Sequence, residues 1–515
     1  MRSPCDEAVI QAGRAEAPCG PGVQRWVLLA AILGSSMAFI DSTVVNVALP
    51  SLQASLNASV VDVQWVVEAY ALLMGALILV GGSLGDLLGR RKVFVAGVVV
   101  FALASLASGL AVNVRQLIVA RAIQGMGAAF LTPGSLALIG ASFAGEDRGR
   151  AIGLWSGFTA ITTGLGPVFG GWLIQHASWR WAFLINLPLA TAVVVICLRR
   201  VPESRRPGVD RVDWPGALLA TLGLAGIVFG MIQSSALGWN HPQVYSSLIL
   251  GVMAVALFFR VEKHSSSPMV PLYLFKSRTF SGANLLTFVL YAAIGIFFFL
   301  LPLNLIQVQG YSPAQAGAAG LPLILLMFSL SRWSGSLVPR YGSRLPLTVG
   351  PLVAALGLAL FAVPAVGGSY WSTFFPAYVV LGLGMSVTVP PLTTAVMQAV
   401  DPGHAGAASG VNNAVARVAG LLAVAVFGAV MLACFRSSLH RSLKQVTLPH
   451  EVVQTIRANE IKLAALPLPE GLDSDSASQV RASVAGAFVF GFRVVILICS
   501  GLALAGAVIA RALIE

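Results

Sequence analysis

The stretch Gly81-Gly82-Ser83-Leu84-Gly85-Asp86-Leu87-Leu88-Gly89-Arg90-Arg91-Lys92-Val93-Phe94 joins two long apolar segments, and a degraded copy of it, SGSLVPRYGSRLPL, runs from Ser334 to Leu347. Aligned without a gap, Gly82 falls on Gly335, Leu84 on Leu337, Gly89 on Gly342 and Arg91 on Arg344, while Asp86 falls on Pro339. The chain therefore reads as two related halves. A basic loop between two apolar spans, present once in each half, is the pattern of a secondary transporter whose halves rock around a central site.

Composition agrees with that placement. With 57% hydrophobic and only 10% charged residues, so much apolar surface has no water-soluble core to fill, and the bilayer is the expected solvent. Fourteen mainly apolar segments are long enough to cross it: 27–50, 65–84, 93–111, 117–140, 151–173, 181–198, 214–234, 245–259, 280–306, 313–337, 347–366, 371–396, 406–435 and 485–510. The first is too long for a removable signal peptide and has no convincing cleavage site. The expected organisation is an N-terminal tail over 1–26, a six-helix bundle over 27–198, basic loops with two inserted helices over 199–279, and a second six-helix bundle over 280–515 with a long outer loop at 436–483. Within that loop, 450–465 could form a short surface helix or remain a solvated segment.

The net charge of +12 would suggest nucleic acid in a soluble domain, but its distribution is topological. With the N-terminus inside, the loops after even-numbered spans carry Arg90, Arg91, Lys92, Arg148, Arg150, Arg199, Arg200 and further cations, whereas the short outer loops carry only Arg115 and Arg180. That asymmetry puts both termini in the cytoplasm and makes nucleic acid an improbable partner. The five cysteines have no paired spacing, and the chain lacks a phosphate-binding Gly-rich loop with Lys-Ser/Thr and a His-Glu-x-x-His zinc motif. Neither enzyme chemistry nor a metal or other cofactor is expected.

A few polar residues interrupt the apolar spans. Asp41 lies roughly 15 Å from the outer end of the first span, where an ionised carboxylate is costly; it is either a group that takes a proton from one side and releases it to the other or a structural acid paired within the bundle. Arg121 and Gly125 share one face of the fourth span with Gln124 beside them; the arginine keeps its charge, so its use is to modulate a carboxylate or bind an anion, unless it only snorkels to the outer surface. Glu68 sits within a turn of the outer end of the second span, where a water-exposed acid competes with a coupling role. Asn46, Gln124, Asn412, Asn413 and Arg417 are candidates for lining a cavity, or for bonding neighbouring helices. At the loop, glycines let helix ends approach, and Asp86 can pair with a basic neighbour or a helix N-terminus to lock one state.

These residues carry a resemblance. The loop Gly82, Leu84, Asp86, Gly89, Arg90, Arg91, Lys92, the first-span end Asp41-Ser42-Thr43-Val44-Val45-Asn46 and the fourth-span set Leu117, Arg121, Gln124, Gly125, Gly127 are similar to motifs of the major facilitator superfamily. Among its members the chain resembles the fourteen-span drug:proton antiporters over nearly its whole length. The resemblance implies an all-α fold of two six-helix bundles with two inserted central helices. It also implies proton coupling through Asp41, Glu68 and Arg121, and a gating loop at Gly82, Asp86, Gly89, Arg90 and Arg91. The fifth span, with Gly153, Gly166, Pro167, Gly170 and Gly171, resembles the antiporter hinge, although Thr162 stands where that family usually has glycine. The implied function is proton-driven export of small amphipathic or lipophilic compounds across the bacterial cytoplasmic membrane, by a monomer using the proton gradient in place of a cofactor. A dedicated exporter of one metabolite, antibiotic, siderophore or amino acid in the same fold is the alternative, and a transporter-like receptor is a third reading.

Overall fold

The computed structural model describes residues 20–143, 145–205, 213–265, 268, 270, 272–400, 405–444, 448–468 and 472–515. Every regular element among them is helical. In chain order these are α1 Pro21–Ser55, α2 Val60–Leu88, α3 Arg90–Gly109, α4 Val114–Ser142 and α5 Gly145–His176. Then come α6 Trp181–Arg200, which turns at Ile185, α7 Trp214–Leu237, α8 Pro242–His264, α9 Arg278–Leu303 and α10 Leu321–Gly335. The remainder are α11 Arg344–Leu360, α12 Phe374–Gln398, α13 Ala405–Leu443, α14 His450–Ala458 and α15 Ser474–Leu513.

Thirteen of the described helices are long and apolar enough to cross a membrane, a count that joins the short helix Pro313–Ala319 to α10. The segment expected at 347–366 is α11, which is shorter at 17 residues. It stops at Leu360 because Pro364 lies just beyond and pushes the residue before it out of the helical region. Local chemistry sets other ends. Asn113, Ser277 and Asp473 accept the backbone N–H three residues on at α4, α9 and α15, and Ser312 and Gln315 form a reciprocal capping box before α10.

The chain divides into two compact units. One comprises Met1–Val45, Ala69–Ala225 and Gly251–Pro271, the other Asn46–Glu68, Gly226–Leu250 and Leu272–Glu515. In the first unit α3 lies along α4 and against α6, burying Phe94, Val98, Phe101, Leu131 and Val193. Apolar association alone gives helices little advantage in lipid, so polar contacts matter. Ser35 Oγ on α1 donates to Ser135 Oγ on α4 at 2.7 Å and accepts from Trp155 Nε1 on α5 at 3.0 Å. In the second unit α9 packs on α13 and α15, and α11 packs on α12 and α15. Phe361 there meets Phe297 at 4.7 Å and Tyr378 edge-on at 4.9 Å between ring centroids.

The repeated loop is a turn of almost no length in its first copy. Helix α2 runs on through Asp86 to Leu88, and Gly89 alone separates it from α3 at φ +117°. In the second copy Gly342, at φ +72°, follows the short helix Leu337–Tyr341 and precedes α11. Both positions require backbone that side chains with a Cβ rarely adopt. The stretch 450–465 is folded rather than solvated: α14 leads into a 3-10 turn over Glu460–Ala465, and Ile456, Glu460 and Leu463 are buried.

Candidate functional site

Four helices of the first unit bring polar side chains together. Asp41 from α1 and Arg121 from α4 are almost wholly buried, at 0% and 1% exposed, and pair at 2.5 Å between Oδ2 and the guanidinium. Gln124, one turn from Arg121 on the same face of α4, donates to Asp41 Oδ1 at 2.8 Å and to Ser105 Oγ of α3 at 2.8 Å, while its carbonyl accepts from Arg121 at 2.7 Å. Asn186, just after the turn in α6, donates to Asp41 Oδ1 at 3.4 Å and to Ser105 at 3.3 Å. The guanidinium carbon stands 4.2 Å from the centroid of the Tyr70 ring and 5.7 Å from that of Phe183.

Removing two charges from water costs several kcal/mol each, which only close pairing and further hydrogen bonds offset (~3–5 kcal/mol is lost when one partner goes). Here Arg121 has a carboxylate, an amide oxygen and an aromatic face. It is therefore a bundle residue and not one that snorkels to the outer surface. The arrangement has a definite chemistry. Proton uptake by Asp41 would cancel its charge and turn one acceptor oxygen into a donor, so that its bonds to Arg121, Gln124 and Asn186 would have to change. A proton at that one atom would thus change the bonding of four helices.

At the other end of the first unit stands the loop. Asp86 Oδ1 accepts from Arg90 Nε at 2.9 Å and from its terminal nitrogen at 2.8 Å, and Arg90 also reaches the carbonyl of Ala137 on α4 at 3.4 Å. Glu203, beyond α6, accepts the Arg91 N–H at 3.0 Å, and the Arg90 N–H is taken by the Ser204 carbonyl at 2.9 Å. An acid at the N-terminus of α3 satisfies otherwise orphaned donors and faces the positive end of the helix dipole. Arg91 ties back to the Val201 carbonyl at 3.0 Å. Gly82, further up α2, is half-buried and takes no part in this cluster.

The glycines of α5 permit close approach to α1. A Cβ on Gly166 would stand 2.2 Å from Thr43 Oγ1 and one on Gly170 2.4 Å from Val44 Cγ1, so only glycine fits. Pro167 and Gly171 lie in the same helix, as does Gly153. Thr162, at the position where glycine was expected, makes a hydrogen bond to Ser36 of α1 at 3.2 Å.

In the second unit, Glu68 of α2 is 1% exposed, and its Oε2 is buried with no hydrogen-bond partner among the described residues. It is not a water-facing acid. Asn46, on the same unit's part of α1, is half-buried. Asn412 of α13 donates to Thr287 Oγ1 at 2.7 Å and Asn284 Oδ1 at 3.2 Å, both on α9, whereas Asn413 is exposed and Arg417 half-buried. A cleft of about 490 Å³ lies between Tyr311, Gln315, Pro322, Tyr370, Trp371 and Phe375, with the Tyr370 hydroxyl committed to the Ala319 carbonyl at 2.8 Å.

Sequence reasoning grouped Asp41 and Arg121 for proton coupling and set Gln124 beside Arg121, but gave no site role to Ser105, Tyr70, Asn186 or Glu203. A lone amide inside an apolar span was the available signal for Asn186, and an acid directly after a basic helix end was that for Glu203.

Long apolar helices in a two-unit arrangement, with a charge pair buried inside one unit, define a multi-span membrane carrier. The chain belongs to the Major Facilitator Superfamily, which it matches over residues 31–424. It is 34% identical over 450 residues to the multidrug resistance protein Stp of Mycobacterium tuberculosis, covering 86% of this chain and 82% of that protein. It is 31% identical over 488 residues to the tetracenomycin C resistance and export protein of Streptomyces glaucescens, covering 94% and 90%. Among solved structures, a bacterial homologue of the human lysosomal transporter Spinster superposes with TM-score 0.63 at 17% identity, over 95% of this chain and 97% of that one, a likeness of fold.

Proposed function

We propose that the chain is a proton-coupled antiporter that exports small amphipathic or lipophilic compounds across the bacterial cytoplasmic membrane, with both termini inside. The buried Asp41–Arg121 pair, bonded through Gln124 and Asn186, is the observation that carries this reading. Proton uptake from outside opens the pair; loss of that proton to the cytoplasm re-forms it. Because the change involves α1, α3, α4 and α6 together, it can be linked to the rocking of one six-helix bundle against the other. A proton moving inward down a 100 mV potential supplies about 2.3 kcal/mol before any pH gradient. The resistance and export roles of the two relatives support the outward direction, as do the α5 glycines held against α1.

For a cationic substrate, competition with the proton for Asp41 would supply the coupling. Glu68, buried with an unpartnered oxygen, is a second proton-accepting candidate. The gating role belongs to Asp86, Arg90, Arg91 and Glu203, which bind the ends of α2 and α3 to the segment after α6. A dedicated antibiotic exporter is the second reading, favoured by the relative that exports tetracenomycin C. Competition between unrelated compounds separates the two. The function itself is tested by efflux of a fluorescent lipophilic cation from vesicles under an imposed proton gradient, with wild type and Asp41→Asn compared. Gradient-driven efflux that vanishes in the variant supports the proposal; efflux unchanged by the variant moves the proton site away from Asp41.

A further inference from the structure

The segment between α13 and α15 is fastened down more firmly than a connecting loop needs to be. Its turn Glu460–Ala465 meets three helices of the same unit. Gln53, at the end of α1, donates to the Lys462 carbonyl at 3.1 Å, and Lys462 Nζ donates to Asn57 Oδ1, in the turn after α1, at 2.6 Å. Gln307, in the π-helical turn that ends α9, donates to Gln53 Oε1 at 2.9 Å. Glu460 pairs with His440 and lies 3.5 Å from Arg436 Nε, both on the extension of α13.

Two further features mark the segment as held in place. Leu463 is buried at φ +51°, ψ −128°, a conformation that costs a residue with a Cβ about 1–3 kcal/mol and persists only where its surroundings impose it. Ile456 and Leu466 are buried beside it, and Glu460 is a buried carboxylate between two basic side chains. A loop serving only to connect α13 to α15 would have no reason to bury an acid or strain a leucine.

The helix it grips is the one that carries Asp41. Gln53 lies twelve residues beyond Asp41 on the same helix, past Pro50. We propose that residues 456–466 form an extracellular latch: Lys462 holds the α1–α2 turn through Asn57 and Gln53, Glu460 anchors the segment on α13, and the outer path to Asp41 opens when Lys462 lets go. The latch rests on the proposed orientation and export function, and its test is arranged to separate the two.

In a background with the five native cysteines replaced by serine, Asn57→Cys and Lys462→Cys are bridged by a reducible bis-methanethiosulfonate linker of about the lost side chain's length, which gives the oxidised state, and the vesicles assayed for efflux of the lipophilic cation before and after reduction. The latch predicts efflux at the level of empty vesicles when oxidised and recovery on reduction; equal efflux in both states overturns it while leaving export intact. A second measurement needs no transport. Ile456→Cys, buried under the segment, is treated from outside with a membrane-impermeant maleimide, alone and combined with Lys462→Ala or Glu460→Gln. Labelling severalfold faster in the combined variants supports the latch even if efflux is absent, and unchanged labelling overturns it.

Discussion

Both copies of the loop turn at a glycine of positive φ, and they differ in what holds that turn. At Gly89 the left-handed turn is closed by charge: Asp86 grips Arg90, and Glu203 caps the start of α3. At Gly342 φ is positive too, but Asp86 has become Pro339, a Cβ on the glycine would meet nothing within 4 Å, and Arg344 reaches the Arg511 carbonyl at 2.6 Å. The buried polar clusters differ in the same sense. One is an ion pair of Asp41 and Arg121, the other a set of neutral amides and a hydroxyl at Asn412, Asn284 and Thr287. The turn glycine is thus kept in both copies, while the acid that pairs at the first, Asp86, is lost from the second.

The largest test of that contrast removes one partner from each buried cluster. Arg121→Ala leaves Asp41 buried without its cation and should destabilise by about 3–5 kcal/mol, whereas Asn412→Ala, losing neutral hydrogen bonds, should cost about 1 kcal/mol. Thermal unfolding in detergent would read both, and equal shifts would remove the distinction. Next come the turns themselves. Gly89→Ala and Gly342→Ala both place a Cβ in a disfavoured conformation at about 1–3 kcal/mol, but at Gly89 the new atom also stands 2.7 Å from Glu203 Oε1, so that variant should unfold at the lower temperature. The smallest effect is expected at the lock. Asp86→Asn weakens a partly exposed pair and should change stability by about 0.5 kcal/mol, yet slow efflux more than it lowers the melting temperature. An efflux rate equal to wild type would reduce the lock to a topological anchor.

The fold was legible because apolar length is a coarse and local signal; even α8, expected over only 245–259, is a helix of 23 residues. The expected limits slipped where folding depends on neighbours. α13 and α15 run past the apolar run that revealed them, since their facing ends pack against the segment between them. The site was legible as a set of charged residues grouped by family resemblance, and not as a set of contacts. Asp41 and Arg121 stand out because charge is rare in a span, but nothing local says that they touch, and Ser105 and Asn186 look like ordinary small polar residues until four helices converge on them. The segment 450–465 shows the opposite limit: its side chains are polar enough for solvent, and only their partners, Gln53, Asn57 and His440, reveal that they are engaged.

The most direct measurement follows protons rather than substrate. Purified protein in weakly buffered detergent solution, with a pH indicator, is mixed with a lipophilic cation at a pH where the transporter binds it. Proton release on binding by wild type, absent in Asp41→Asn although that variant still binds the compound, is the predicted result. Equal proton release from both would contradict the assignment of the proton to Asp41.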